Sequence, residues 1–260
     1  MISSTSNSKV KEAAALAKKA RYRKETGLFV VEGLKMFSEL PKERAEAVYV
    51  TERFLEQDGH KALLKGIRKV ETVTEDVLKA MSDTQTPQGV LALVKQYSYS
   101  LEDILKVPGP AHLMILETIQ DPGNLGTILR AGEGAGVTGV IMNGATADIY
   151  NPKVIRSTMG SIYRVPFVYV EDLKEVLTRL KQEKIRLFAA HLAAEKDYDE
   201  EDYKGSIGFL IGNEANGLEE ETAAMADVYI RIPMLGRVES LNAAVASSVL
   251  MYEAARQRRR

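Results

Sequence analysis

Apolar and polar positions alternate along the chain in two ways. Short apolar runs such as 113–116 and 137–142 predict buried strands, and stretches with apolar residues three or four apart, such as 172–182, predict helices. From residue 111 onwards, five or six such strands are separated by helices. This order predicts a mostly parallel sheet that is covered by helices on both faces.

The N-terminal part shows the same alternation on a smaller scale. Residues 9–24 predict a weakly amphipathic basic helix, and short strand-like and helix-like runs follow it. The stretch 98–110 contains a possible short helix at 101–105 and Pro-Gly-Pro at 108–110, which favours a stiff turn. We therefore predict an α/β domain over residues 1–97, a linker over 98–110 and a second α/β domain over 111–260.

Composition narrows the class of protein. The 260 residues are 45% hydrophobic and 27% charged, which is typical of a soluble globular protein. No apolar run approaches the roughly 20 residues of a membrane span, and the N-terminus lacks the apolar core of a signal peptide. There is no cysteine, and the three histidines are scattered without metal-ligand spacing. We therefore expect a cytoplasmic protein without a metal site or a membrane span.

The net charge of −1 conceals two basic ends. Residues 9–24 carry seven Lys and Arg against one Glu, residues 256–260 carry four Arg, and the remaining chain is therefore at −11. Basic ends on a near-neutral protein favour contact with a polyanion such as RNA. A solvated helix face and a frayed tail would give the same pattern, so charge alone leaves both interpretations open.

Three loops rich in Gly and Asn follow predicted strands, at 117–126, 212–217 and 232–242. In open parallel sheets, ligands bind beyond the carboxyl ends of the strands. Glycines let backbone amides approach a ligand, and Asn side chains present a donor and an acceptor together. Each loop alone could equally be an ordinary turn, and Ser240 could serve only as the N-cap of the last helix.

Two charged residues beside these loops have competing interpretations. Arg130 lies about two turns into an otherwise apolar predicted helix, and it could pair with Glu133 or bind a phosphate and stabilise a developing alkoxide. Glu214 could orient a ligand or be a solvated acid. The Gly pattern at 134–139 fits G-x-G-x-x-G, but it closes a helix and precedes a strand, so we interpret it as a turn and not as a dinucleotide site.

Together the three loops resemble the signature of the SpoU/TrmH family of RNA 2′-O-ribose methyltransferases, in the SPOUT superfamily. The matching segments are 121–130 (DPGNLGTILR), 210–218 (LIGNEANGL) and 232–253, with Ser240-Leu241-Asn242 at the centre of the third. The N-terminal part resembles the family's substrate-binding domain through 6–9, the basic helix and 29–33. One departure is Ala131-Gly132-Glu133-Gly134 where the family usually has Thr-Ala-x-Ala, and two glycines weaken a helix end by about 1 kcal/mol each.

The resemblance implies a fold, a cofactor and a set of site residues. The fold would be a small ribosomal-protein-like α/β N-terminal domain plus a mostly parallel-sheet SPOUT domain with a C-terminal trefoil knot, working as a homodimer. S-adenosylmethionine would lie near Leu192, Gly212, Asn213, Ile232, Met234 and Leu241. Substrate handling would fall to Asn124, Arg130, Glu214, Ser240 and Asn242. On charge, we expect the RNA to meet Lys9, Lys18, Arg21 and Arg23.

The implied reaction is in-line methyl transfer to a ribose 2′-hydroxyl of structured RNA, with ribosomal RNA as the first expectation. Arg is effectively always protonated, so we expect Arg130 to position a phosphate and stabilise the alkoxide, while that phosphate or water accepts the proton. A transfer RNA methyltransferase and a non-catalytic RNA-binding assembly factor on the same fold remain the alternatives.

Overall fold

The computed structural model describes residues 1–259, and its elements alternate as predicted. The strands are β1 Leu28–Glu32, β2 Ala45–Val50, β3 Val70–Thr72, β4 Val90–Lys95, β5 His112–Leu116, β6 Gly139–Asn143, β7 Phe167–Val170, β8 Arg186–Ala190, β9 Lys196–Asp197, β10 Ile207–Ile211 and β11 Val228–Arg231. The α-helices are α1 Ser8–Lys18, α2 Ala20–Thr26, α3 Leu34–Ser38, α4 Glu52–Glu56, α5 His60–Leu63, α6 Glu75–Met81, α7 Leu101–Leu105, α8 Pro122–Ala135, α9 Pro152–Thr158, α10 Leu173–Gln182, α11 Glu220–Ala223 and α12 Ala243–Arg258.

The chain forms two compact units. Unit 1 comprises Met1–Tyr97 with Asp148–Tyr163, and unit 2 comprises Ser98–Ala147 with the chain from Arg164 onwards. The boundary after Tyr97 is the one that we predicted, but residues 98–110 belong to unit 2 and the segment Asp148–Tyr163 belongs to unit 1. The predicted domain boundaries therefore remain a proposal. The two units differ from them at residues 98–110 and at Asp148–Tyr163.

The stretch predicted as a linker is ordered by its helix α7. Ser100 caps this helix through a reciprocal pair of hydrogen bonds with Asp103. Ile104 is fully buried, and it lies so close to β6 that a Cβ on Gly139 would be 2.4 Å from its Cγ2. A glycine at the start of β6 is therefore needed for α7 to pack against the sheet of unit 2.

Unit 1 is built on a four-stranded sheet in the order β1-β4-β2-β3. Strands β1 and β2 run antiparallel to β4, and β3 runs parallel to β2. The predicted basic helix is in fact two helices, α1 and α2, because Lys19 between them is extended at φ −120° and ψ 107°. The core forms where α1 and α6 pack on the sheet, through Val10, Leu16, Tyr49, Leu78 and Leu91.

The segment Asp148–Tyr163 contributes buried side chains to unit 1. Its helix α9 begins with Pro152, a position where proline is tolerated, behind an Asn151 N-cap. Val154 and Ile155 are buried, and the hydroxyl of Tyr163 donates to the carbonyl of Met36 at 3.1 Å. These contacts fix the segment in unit 1, although it interrupts the sequence of unit 2.

Unit 2 is built on a seven-stranded sheet in the order β7-β6-β5-β10-β8-β11-β9. All six pairings of these strands are parallel, which confirms the predicted sheet type. Leu113 and Ile115 of β5 pack in a core with α10, and His112 and Met114, which alternate with them, are also fully buried. Both faces of β5 are therefore covered, as the continuous apolar runs predicted.

Candidate active site

The first two Gly/Asn-rich loops start from neighbouring parallel strands, β5 and β10, and are bonded to each other through Glu214. Its carboxylate accepts hydrogen bonds from the backbone N–H groups of Gln120 and Asp121, both at 3.2 Å, and from Asn124 Nδ2 at 2.9 Å. Glu214 therefore orients Asn124 and the start of α8, although the residue itself is exposed.

These hydrogen bonds also decide the charge of Glu214. Partial burial of the carboxylate acts to raise the pKa of Glu214, but the donors from Asn124, its own backbone, Gln120 and Asp121 outweigh burial and hold the pKa below its usual value. The carboxylate is therefore ionised at neutral pH. It acts as an acceptor that fixes other groups and not as a proton donor.

The second loop is a tight turn closed by Asn213 and Gly217, whose backbones exchange hydrogen bonds at 2.9 Å. Asn213 Oδ1 accepts from the N–H of Ala215 at 2.9 Å, and its Nδ2 donates to the carbonyl of Thr118 at 2.9 Å. A Cβ on Gly212 would lie 2.1 Å from the carbonyl carbon of Gly217. Only glycine therefore fits at residue 212, and the turn presents backbone groups at the sheet edge.

The third loop joins the other two through Asn242, which is the N-cap of α12. Its Oδ1 accepts from the N–H groups of Ala244 at 2.9 Å and Val245 at 3.3 Å, while its Nδ2 donates to Asn124 Oδ1 at 2.9 Å. Asn124 thus accepts from Asn242 and donates to Glu214. We call this line, Asn242–Asn124–Glu214, the amide relay.

Ser240 does not have the capping role that was its simplest interpretation. The cap of α12 is Asn242, and Ser240 lies two residues before it with an exposed side chain. Its hydroxyl therefore remains available to a ligand at the same loop.

Arg130 is exposed on α8, and its expected alternative partner is engaged elsewhere. Glu133 forms an ion pair with Arg164, in which Arg164 Nη2 donates to Glu133 Oε2 at 3.1 Å. Within residues 1–259, no side chain or carbonyl is hydrogen-bonded to the Arg130 guanidinium. Its five N–H donors therefore face solvent and can bind a phosphate.

Gly132 and Gly134, which depart from the family pattern, lie where α8 meets side chains of α12. A Cβ on Gly132 would be 3.3 Å from the Val137 side chain and 3.5 Å from Met251 Sδ, and one on Gly134 would be 2.7 Å from the Tyr252 hydroxyl. The closest contact of Gly132 is with Val137, which follows α8, and Tyr252 beside Gly134 is 49% exposed and can move. These distances therefore do not make glycine a requirement for the packing of α12.

The residues expected at the cofactor follow three neighbouring strands, β8, β10 and β11. Leu192 is 71% exposed, and Ile232, Met234 and Leu241 are half-buried in their loops. The Gly212–Asn213 turn adds backbone polar groups. Apolar side chains beside backbone donors and acceptors, at one edge of a parallel sheet, fit a ligand with a flat base and a polar tail.

Three polar residues support these loops although sequence reasoning did not single them out. Glu117 is buried and accepts from the N–H of Glu219 at 2.8 Å and from Thr222 Oγ1 at 2.5 Å. Thr118 has a left-handed backbone at φ 61°, held by Asn143, whose Oδ1 accepts from its N–H at 2.9 Å. The sequence signal that could have identified Glu117 as a supporting residue is its place directly after the buried strand β5.

The four residues expected to meet RNA lie in unit 1 and have different environments. Lys9, Lys18 and Arg21 are exposed, Lys9 pairs with Glu71, and Arg21 Nε donates to Glu25 at 2.7 Å. These three remain accessible to a polyanion.

The expectation for Arg23 is wrong. Its side chain is only 4% exposed, and its Nε and Nη2 donate to Asp148 at 2.9 and 2.6 Å. Its Nη1 donates to the carbonyls of Leu16 at 2.7 Å and Ala17 at 3.3 Å. The guanidinium therefore joins α1, α2 and the segment Asp148–Tyr163 within unit 1. Four of its five N–H groups are engaged there, and its burial keeps it away from a phosphate.

Comparison with known proteins identifies the family to which the chain belongs. Residues 111–252 match the model of the SpoU rRNA methylase family, and residues 7–92 match the MRM3-like substrate binding domain. The chain belongs to the SpoU rRNA methylase family. The first match spans the three loops joined by the relay, and the second spans the sheet of unit 1.

Relatives of this SpoU protein extend over nearly its whole length. The 23S rRNA (guanosine(2553)-2′-O)-methyltransferase RlmP of Bacillus subtilis is 31% identical over 254 residues, which is 96% of this chain and 97% of the relative. The SpoU methyltransferase AviRb from Streptomyces viridochromogenes, solved with AdoMet, is 28% identical with a TM-score of 0.89, over 97% of this chain and 98% of that one. The AdoMet-bound rRNA methyltransferase from Sinorhizobium meliloti is 33% identical with a TM-score of 0.84, over 98% and 97%.

The SpoU protein is thus an RNA 2′-O-methyltransferase that uses S-adenosylmethionine. Its fold is that of the SPOUT methyltransferases. Within residues 1–259, no helix is long and apolar enough to cross a bilayer, and no group of three or more His, Asp or Glu side chains could hold a metal ion.

Proposed function

We propose that this SpoU protein methylates a ribose 2′-hydroxyl of 23S ribosomal RNA in the cytoplasm, as a homodimer. The observation that carries the proposal is the amide relay, because it joins residues of all three loops at one sheet edge. The exposed Arg130 lies six residues after Asn124 on the same helix, α8. The near full-length similarity to a 23S rRNA methyltransferase supports the choice of RNA.

Arg130 binds the phosphate next to the target ribose and stabilises the alkoxide that develops on the 2′-oxygen. Its side chain is exposed and is not engaged by any residue among 1–259. Since a guanidinium does not lose its proton, Arg130 is not the base. The proton of the 2′-hydroxyl passes to the bound phosphate or to water.

The amide relay orients the ribose. Glu214 fixes Asn124 by accepting from its Nδ2, and Asn242 fixes it from the other side. The Ser240 hydroxyl, exposed two residues before Asn242, donates or accepts at the same ribose. Holding the acceptor oxygen in line with a methyl group lowers the barrier by proximity and orientation.

Bound S-adenosylmethionine supplies a methyl group made electrophilic by its sulfonium. Leu192, Ile232, Met234 and Leu241 exclude water from its apolar part, and the Gly212–Asn213 turn supplies backbone hydrogen bonds. In the same proposal, the C-terminal loops form the trefoil knot that the SPOUT fold implies.

The dimer interface would include the exposed apolar residues of the third loop and α12. Leu235 is fully exposed, Val238 is 62% exposed, and Val245 and Tyr252 lie two turns apart on one face of α12 at 48% and 49%. Apolar side chains at this spacing need a partner surface. Lys9, Lys18 and Arg21 make the phosphate contacts that draw the RNA to unit 1.

Methyl incorporation tests the function directly. Purified protein is mixed with methyl-labelled S-adenosylmethionine and, in parallel, with protein-free 23S rRNA or with transfer RNA. Label in 23S rRNA at one position that resists alkaline cleavage is the expected result. Label in transfer RNA alone overturns the choice of substrate, and no label in RNA or in assembled 50S particles overturns catalysis in favour of an RNA-binding assembly factor.

A further inference from the structure

Asn143, the last residue of β6, lies outside the three Gly/Asn-rich loops, but its amide is hydrogen-bonded at both ends. Its Oδ1 accepts from the N–H of Thr118 and from Thr146 Oγ1, both at 2.9 Å. Its Nδ2 donates to Thr118 Oγ1 at 2.9 Å. Asn143 is therefore fixed in one orientation, and it holds both the backbone and the side chain of Thr118.

Thr118 needs such a partner because its backbone lies in the left-handed region, at φ 61°. This conformation is strained for a residue that is branched at Cβ, and it persists only where the surroundings hold it. The two hydrogen bonds to Asn143 supply that restraint. Without them, relaxation of φ would swing the carbonyl group of Thr118 in a new direction.

The direction of this carbonyl matters to the turn at 212–217. The carbonyl of Thr118 accepts from Asn213 Nδ2 at 2.9 Å, at the start of the turn. The adjacent Glu117 accepts from the N–H of Glu219 at 2.8 Å, just after the turn. The turn is therefore bonded on both sides to residues that directly follow β5, and one of these bonds depends on the conformation of Thr118.

The turn has little freedom to adjust if that bond is lost. A Cβ on Gly212 would lie 2.1 Å from the carbonyl carbon of Gly217, so the two ends of the turn are already in close contact. Hydrogen bonds weaken steeply as their geometry departs from the optimum. A displaced Asn213 would therefore misplace the backbone groups that the proposed function gives to the cofactor.

We propose that Asn143 is a positioning residue for S-adenosylmethionine, which through Thr118 holds the Gly212–Asn213 turn in the conformation that binds the cofactor. Asn143 acts through this line of hydrogen bonds and not by contact with the cofactor. Its effect is on the affinity for the cofactor, and not on the affinity for RNA. This inference rests on the proposed function for the place of the cofactor at the turn.

The test compares Asn143→Ala with Thr138→Ala, which removes a similar pair of hydrogen bonds where β5 and β6 begin. Thr138 Oγ1 accepts from the N–H of His112 at 3.0 Å and donates to its carbonyl at 3.2 Å. Calorimetric titration measures the affinity for S-adenosylmethionine. Asn143→Ala should bind it about tenfold more weakly, as expected when a buried hydrogen bond is lost, and Thr138→Ala within about twofold of wild type. Both should bind protein-free 23S rRNA within about twofold of wild type.

Steady-state kinetics separates cofactor positioning from damage to the reaction itself. Asn143→Ala should raise the KM for S-adenosylmethionine about tenfold and lower kcat at saturating cofactor by less than about threefold, because lost cofactor binding is recovered at saturation. An unchanged KM, or an equal rise in Thr138→Ala, would overturn the inference.

Thr118→Gly tests the step that passes through Thr118. Glycine adopts a left-handed backbone without strain, so Asn143 has less strain to offset in this background. Adding Asn143→Ala to Thr118→Gly should weaken cofactor binding by less than about threefold relative to Thr118→Gly alone. A full tenfold loss in the double variant would contradict the assigned line of hydrogen bonds.

Hydrogen exchange of the wild-type protein keeps the inference testable even if a variant does not fold. Saturation with S-adenosylmethionine should slow amide exchange at 212–217 and also at 143–146, which is joined to the turn through Thr118. No change at 143–146 would overturn the inference. Equal cofactor affinities in Asn143→Ala and Thr138→Ala, with methyl transfer by the wild type intact, would overturn it alone. The predicted differences in a wild type that methylates no RNA would overturn the proposed function and leave Asn143 as a positioning residue.

Discussion

Arg130 on α8 of unit 2 and Arg23 on α2 of unit 1 carry the same charge in opposite environments. Arg23 makes four hydrogen bonds to Asp148 and two carbonyls, and it is almost completely buried. Arg130 is exposed, and within residues 1–259 nothing pairs with it. A buried guanidinium that is hydrogen-bonded by its own fold stabilises that fold, whereas an exposed guanidinium without a protein partner is available to a ligand.

The largest expected effect is on Arg130. Arg130→Ala should lower kcat by about 10³ or more, because it removes the charge that stabilises the developing alkoxide, while the affinity for S-adenosylmethionine stays near that of wild type. Single-turnover methyl transfer and calorimetric titration of the cofactor measure the two quantities. Arg179→Ala, at an exposed arginine of α10 that pairs with Glu183, is the control and should keep full activity. Loss of cofactor binding in Arg130→Ala would contradict the assigned role.

Arg23→Ala should act on stability instead. Removing the guanidinium leaves Asp148 and the carbonyls of Leu16 and Ala17 without their donor, and breaking a buried pair costs about 3–5 kcal/mol. Urea denaturation followed by circular dichroism measures the free energy of unfolding. Arg21→Ala, two residues earlier with an exposed pair to Glu25, should change it by less than about 1 kcal/mol. Equal losses in both variants would remove the distinction between the two environments.

His112 extends the comparison to a buried group that remains neutral. Burial and, to a smaller extent, the Arg258 charge lower the pKa of His112 to about 4, although the backbone of Gly136 acts in the opposite direction. Because this folded pKa lies below the unfolded value of about 6.5, the unfolded state binds more protons between these pH values, and stability falls as pH falls through this window.

The expected size of this pH effect is up to about 3 kcal/mol between pH 6.5 and 4. His112→Gln should remove most of the slope of unfolding free energy against pH in this window. His191→Gln, at a half-buried position, is the control and should keep the slope. An unchanged slope in His112→Gln would assign the acid sensitivity to other groups.

The smallest expected effect concerns the exposed part of the basic helices. Lys18→Ala with Arg21→Ala should flatten the slope of log affinity for RNA against log salt by roughly 1.5–2, since two phosphate contacts are lost. Filter binding at several salt concentrations measures the slope. Lys106→Ala with Lys184→Ala, which removes the same charge from unit 2, should leave it nearly unchanged. If both pairs flatten the slope equally, net charge and not the surface of α1 and α2 governs RNA binding.

The sheet of unit 2 was predictable because its short apolar runs recur regularly between helical stretches. The three loops were also predictable, since Gly and Asn follow strands whose carboxyl ends must meet at one edge. The hydrogen bonds that join them were not, because Asn124 and Asn242 are 118 residues apart and no local pattern connects them. The same holds for Ser240 and Asn242, since both are good N-caps and only the backbone decides between them.

The partners of charged residues were the feature least predictable from the sequence. Arg23 lies in the same basic run as Arg21, but its tertiary partner, Asp148, is 125 residues away. The acidic run 195–202 contains Glu201, which is buried and pairs with Arg186 at 2.8 Å and Lys196 at 2.6 Å. A residue's charge is visible in the sequence, but its partner depends on long-range packing.

The segment Asp148–Tyr163 has a consequence for dissecting the protein. A chain that begins at Ser98 would keep this segment but lose the sheet on which it packs. Tyr150, Val154 and Ile155 would then face water, and Asp148 would lose Arg23. An amino-terminal deletion is therefore not a neutral removal of one module. Limited proteolysis should cut such a shortened chain within 148–163 first, while the full-length chain resists there.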